Sequence, residues 1–137
     1  MESITVETFI NSDLSKVWEA WTNPIHIQKW NFASNDWECP YVENDVKVGG
    51  KFLFRMSTKD GSASFDFNGI YTEVTPLAHI SYTIEGGRKV SVLFEKISDT
   101  ETKVIETFEL ENENPKEMQH RGWQAILNNF KQHVETL

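Results

Sequence analysis

The sequence predicts an α+β domain in which a curved antiparallel sheet of six to seven strands grips one long C-terminal helix. Three observations predict it. Residues 114–137 carry a helical apolar stripe, with Trp123, Ile126, Leu127, Phe130, Val134 and Leu137 three or four positions apart. Most of the preceding chain alternates apolar and polar residues with period two, broken by tight-turn signals. Such turns give an antiparallel meander, whose apolar face needs a cover, and the terminal helix is the only element long enough to supply one.

Residues 3–10 alternate as a strand, with Ile4, Val6 and Ile10 on one register. Ser12 or Asp13 can cap a short helix that places Leu14, Val17, Trp18 and Trp21 on one face. Asn23-Pro24 starts a second short helix, because proline at the first helical position loses no hydrogen bond. Residues 31–48 are irregular. Trp37, Tyr41 and Val42 suggest a strand, and Pro40 confines it to a sheet edge or an irregular stretch. Gly49-Gly50 has no following helix and no Lys-Ser/Thr, so it reads as a bulge or turn rather than a phosphate loop. Phe52, Phe54 and Met56 then share one strand face. Lys59-Asp60-Gly61 turns, and Phe65, Phe67, Gly69 and Tyr71 share the next. Turns at 75–78, 85–88 and 98–101 separate Ile80, Tyr82 and Ile84 from Val90, Val92 and Phe94, and these from Val104, Glu106, Phe108 and Leu110. The closing helix begins with Asn114 as N-cap, Pro115 at its first position and Glu117 reaching back to the cap amide; it would run about 35 Å. Gly122 interrupts it at a cost of roughly 1 kcal/mol, which close approach of a strand or a ligand would explain; an incidental glycine is the equal alternative.

At 137 residues the chain is read as one domain, residues 1–137. Five Trp and nine Phe exceed the packing needs of a small core and suggest an aromatic-lined cavity. A net charge of −8 argues against nucleic-acid and anionic-membrane partners. Cys39 is the sole cysteine, which excludes an intrachain disulfide and a thiolate metal cluster. His26, His79, His120 and His133 lack ligand spacing, and no cofactor fingerprint is present, so neither a metal nor a cofactor is expected. No apolar run reaches 18 residues and the first residues lack signal-peptide features, so a cytoplasmic protein is expected.

At this point the pattern resembles the SRPBCC, or START-like, helix-grip superfamily, and within it the bacterial members related to the activator of Hsp-90 ATPase homologue C-terminal domain. The residues that carry the resemblance are Val17-Trp18-Glu19-Ala20-Trp21-Thr22-Asn23-Pro24 with Trp30, Asp45-Val46-Lys47-Val48-Gly49-Gly50-Lys51-Phe52, Gly69-Ile70-Tyr71-Thr72-Glu73-Val74 with Pro76, and Gly122-Trp123. Lys47 departs from the arginine such proteins often carry. The resemblance implies a cavity between helix and sheet that takes lipids, polyketides, aromatic metabolites or hormones. It leaves carriers, enzymes and chaperone modulators all open.

The candidate ligand-binding residues are those inward on the strands and on the first half of the last helix. They are Phe52, Phe54, Met56, Phe67, Tyr71, Tyr82, Val92, Phe94, Glu106 and Phe108, then Met118, Gln119 and Trp123, with Trp30 and Trp37 at the rim. Glu106 has two placements. On a concave face it would be a polar anchor or general acid with a raised pKa. The preferred placement is outward, through a bulge or a solvated face, because a slip of one residue inverts a strand. Trp18 and Trp21 read as core, and His120 as a surface residue. The reading that follows is a non-enzymatic domain binding an apolar or aromatic small molecule. A chaperone-interaction module and a cyclase or hydrolase using Glu106, His120 or a tyrosine are the alternatives.

Overall fold

The computed structural model describes residues 2–137 and has the expected architecture. Strand β1 (Ser3–Ile10) leads into helices α1 (Leu14–Thr22) and α2 (Pro24–Trp30). Strands β2 (Trp37–Asn44), β3 (Lys51–Thr58), β4 (Ser64–Thr75), β5 (His79–Ile84), β6 (Arg88–Ser98) and β7 (Glu101–Glu109) follow, and α3 (Lys116–Glu135) closes the chain. The seven strands form one antiparallel sheet in the order β1-β7-β6-β5-β4-β3-β2, so the meander ends by bringing β7 against the first strand. The sheet curls into a half-barrel around α3.

Local chemistry sets the element ends. The Asp13 carboxylate accepts from the Lys16 amide at 2.7 Å, and the Asn23 side chain accepts from Ile25 at 2.9 Å, one residue after Pro24 at the first turn of α2. The third expected cap is absent. Helix α3 starts at Lys116, Pro115 takes the cap position without a side-chain bond, and the Asn114 amide donates to the Glu111 carboxylate. Gln119 is the reason. Its side chain accepts from Glu111 N at 3.0 Å and donates to Asn114 O at 2.8 Å, folding the loop back on the helix and setting the local geometry that a cap would otherwise set. The helix has 20 residues, about 30 Å, rather than the 35 Å expected.

Strand β2 is a sheet edge, and its register breaks between Glu38 and Tyr41, so Pro40 sits where no ladder amide is needed. Gly50 permits the tightest backbone approach: a Cβ there would lie 2.0 Å from Asp45 O. The Gly49-Gly50 turn also pairs with β4, Gly49 N donating to Tyr71 O at 2.8 Å and Tyr71 N to Gly50 O at 2.9 Å.

The core has a dense end. There the C-terminal half of α3, through Leu127, Phe130 and Val134, meets α1, α2 and β1, all three residues being buried. Phe130 packs edge-on to both Trp21 and Trp30 with centroids 4.8 Å apart, and the Trp30 indole N–H donates to Ala20 O at 3.0 Å. Phe94 lies beneath α1, edge-on to Trp18 at 5.2 Å and Trp21 at 5.8 Å. The other end, under the first half of α3, is not filled.

Candidate functional site

A cavity of about 420 Å³ occupies that end, between the first half of α3 and the concave faces of β3, β4, β5 and β7, within the size range of small-molecule sites. Alternation on each strand aims its walls. Strand β3 contributes Phe52, Phe54 and Met56, β4 contributes Phe67 and Tyr71, and β5 contributes Tyr82. Phe52 is the hub, its ring 4.9 Å from Tyr82, 5.4 Å from Tyr71 and 4.9 Å from Phe54. Helix α3 roofs the space with Met118, Gln119, Gly122, Trp123 and Ile126. Trp30 and Trp37 bound it from the α2 side, and Trp37 meets Phe65 edge-on at 5.7 Å.

Three sequence candidates lie outside the cavity. Val92 and Phe94 face inward as alternation requires, but α1 covers that part of β6 and both are buried in packing. Phe108 is inward too, and the Trp123 indole stacks flat on it at 4.0 Å and 9°, shutting it off. Gln119 reaches the cavity wall with its amide committed to the 111–114 loop.

Sequence reasoning missed other lining groups. Trp21, assigned to the core, also faces the cavity, as do Asn31, Ala33 and Ser34 from the irregular stretch after α2. Arg88, read as a turn residue, shares the inward register of Val90 and Val92, and that alternation was the available signal. Its guanidinium donates to the main-chain oxygens of Glu85 and Glu109 at 3.4 and 3.5 Å. At Gly122 an added Cβ would meet nothing within 4 Å. No strand approaches it; the glycine opens onto the cavity.

The outward placement of Glu106 is overturned. Strand β7 pairs with β1 without a break from Ser3–Glu109 to Ile10–Thr102, so no bulge turns the residue, and Glu106 sits between Val6 and Val92 with 6% of its surface exposed. Burial alone pushes its carboxyl from the usual 4.5 up to about 8, with no hydrogen bond or charge offsetting it. Tyr82, 7% exposed, is raised well above the ordinary tyrosine value by burial first, then by Glu106, then by Tyr71. No hydrogen bond acts on its hydroxyl either. Among the described residues no fully enclosed side-chain oxygen or nitrogen lacks a partner, so both unpartnered groups open into the cavity. Tyr71 differs, its hydroxyl donating to the Asn44 side-chain oxygen at 2.5 Å. Of the acid–base candidates, Glu106 and Tyr82 therefore converge, whereas His120 is exposed on α3. Among the described residues no three His, Cys, Asp or Glu side chains gather as a metal site, and no helix is long and apolar enough to cross a membrane.

The model of the family described as "Activator of Hsp90 ATPase homolog 1-like protein" matches residues 11–135. The chain belongs to this family. Its structure is similar to that of the AHSA1-like protein from Aeromonas hydrophila, 41% identical, with a TM-score of 0.92 over 98% of this chain and 93% of the other. A protein from Cytophaga hutchinsonii is 47% identical, with a TM-score of 0.83 over 98% and 92% of the two chains. A third, from Chromobacterium violaceum, shares the fold at 22% identity, with a TM-score of 0.87 over 98% and 99%. No curated protein matched. Membership accounts for the helix-grip architecture, and the side chains lining the cavity have to supply any more specific reading.

Proposed function

We propose that this AHSA1-like domain binds an apolar or aromatic small molecule, lipid- or polyketide-like, between α3 and the sheet. The observation that carries the reading is the aromatic cavity. It has about 420 Å³ of space and walls dominated by Phe, Tyr, Trp and Met, with polar side chains in the minority. Apolar walls supply affinity through burial, at roughly 25 cal/mol per Å² of ligand surface removed from water, and a few polar groups fix orientation. Gly122 supports it, since a residue that weakens a helix stands where a side chain would intrude on the space.

Four of the five tryptophans, Trp21, Trp30, Trp37 and Trp123, line the cavity, so occupancy reports in their emission. Titration with fatty acids, flavonoids and polyketides is expected to give a saturable change with at least one class. A Gly122→Trp substitution, which places an indole in the space, is expected to abolish it. Absence of any saturable response, or a response that survives Gly122→Trp, would refute the reading.

A further inference from the structure

We propose that Glu106 and Tyr82 form a two-donor polar end to this cavity, and that it selects ligands bearing an uncharged hydrogen-bond acceptor, an aryl ketone in class, over hydrocarbons of the same shape. The inference rests on the binding reading above and narrows it. Both side chains are more than nine-tenths buried, neither has a partner among the described residues, and both open into the same space. A buried polar group without a hydrogen bond costs about 1–3 kcal/mol, so a ligand that completes both bonds recovers that cost.

Protonation state decides which ligand does so. A neutral carboxyl offers one O–H donor and a tyrosine hydroxyl offers another. A carbonyl oxygen has two lone pairs and can accept from both. The groups around Glu106 leave it neutral at pH 7. On its own sheet its cross-strand neighbours are Val6 and Val92, and Val104 and Phe108 flank it on its face. From α3 the cavity receives Met118, Gln119, Gly122, Trp123 and Ile126, none of them charged. Tyr71 and Tyr82 are uncharged, both raised above their ordinary value by burial. Arg88 and Glu111 are the charged residues elsewhere on the wall, and neither acts on the Glu106 carboxyl. Ionising Glu106 removes the O–H and sets a negative charge against the carbonyl oxygen, so selection fails as pH rises past about 8.

Xanthone and xanthene, which differ by one carbonyl, are the probes, with binding measured by equilibrium dialysis at pH 6.5 and pH 9. The wild-type protein is expected to prefer xanthone by about tenfold at pH 6.5 and to lose most of that at pH 9, where about a tenth of Glu106 keeps its proton. Glu106→Gln retains a donor that does not titrate, so its preference is expected to be the same at both pH values. Tyr82→Phe is expected to reduce the preference and Glu106→Leu to remove it. Equal binding of the two probes by the wild type, or a pH response in Glu106→Gln matching the wild type, overturns the proposal while leaving the binding reading intact. Binding of neither probe also overturns the proposal, and the titration with fatty acids, flavonoids and polyketides then decides the binding reading separately.

Discussion

Replacing Glu106 with glutamine should remove a large part of what pH does to the stability of this fold. The carboxyl titrates near its usual 4.5 in the unfolded chain and at about 8 in the folded one. Between these values the folded state holds a proton the unfolded state has released, so the contribution to stability is complete below pH 4.5 and lost as pH rises through 8. At about 1.4 kcal/mol for each tenfold, the whole interval corresponds to about 5 kcal/mol, of which about 3 kcal/mol falls between pH 5 and pH 8. A glutamine at this position cannot ionise and fits the same volume. Urea unfolding at pH 5, 6, 7 and 8 should therefore show the wild type losing about 3 kcal/mol relative to Glu106→Gln over that range. Taking the difference cancels every other titrating group. Parallel stability curves for the two proteins would refute a neutral, unpartnered Glu106, and with it the register that turns the residue inward.

Other outcomes follow from the same geometry. His133 lies against His26, with Nε2 and Nδ1 2.9 Å apart, and burial, then His26, then Lys29 lower its pKa. The unfolded chain then protonates first as pH falls, so the stability this pair gives is present above about 6.5 and lost below it. The melting temperature of the wild type should fall more between pH 7 and pH 5 than that of His133→Gln. Gly122→Ala should raise unfolding free energy by about 1 kcal/mol, because its methyl meets open space and the helix gains a better former. Gly69→Ala should lower it by about 2 kcal/mol, since the new Cβ would stand 2.5 Å from Thr83 O and 2.8 Å from the Phe52 ring. Phe130→Ala, which empties the contact with Trp21 and Trp30, should cost about 3–5 kcal/mol in the same assay.

What could be read from the residues depended on how local its cause was. The span of β1 and the caps at Asp13 and Asn23 follow from short-range pattern and matched the expectation. The Asn114 cap failed because Gln119, five positions on, engages the same loop through its side chain, a competition invisible in a start-signal motif. Alternation put Val104, Glu106 and Phe108 on one face correctly. The allowance for a one-residue slip or a bulge argued for the wrong side: the β1–β7 pairing has neither, and whether a ladder runs unbroken depends on a partner strand about a hundred residues away. Val92 and Phe94 show the complementary limit. Period-two patterning says which face a residue takes. It does not say which helix covers that stretch, so inward could not be divided into core and cavity wall.

The pairing of β1 with β7 has a consequence for how the chain acquires its shape. Every other strand contact joins neighbours in sequence, whereas Ser3–Ile10 must find Thr102–Glu109 across about a hundred residues. Closing a loop of that length is entropically expensive, and such non-local pairings slow folding. During synthesis β1 is made before the rest of the sheet and waits, with an unpaired edge, until nearly the whole meander has been made. Its outward Glu7 and the adjoining Glu2, both exposed, help keep a waiting edge soluble, as charged side chains do on exposed strands. Because β1 also packs against α3, the helix gains its full seat only after that last pairing forms.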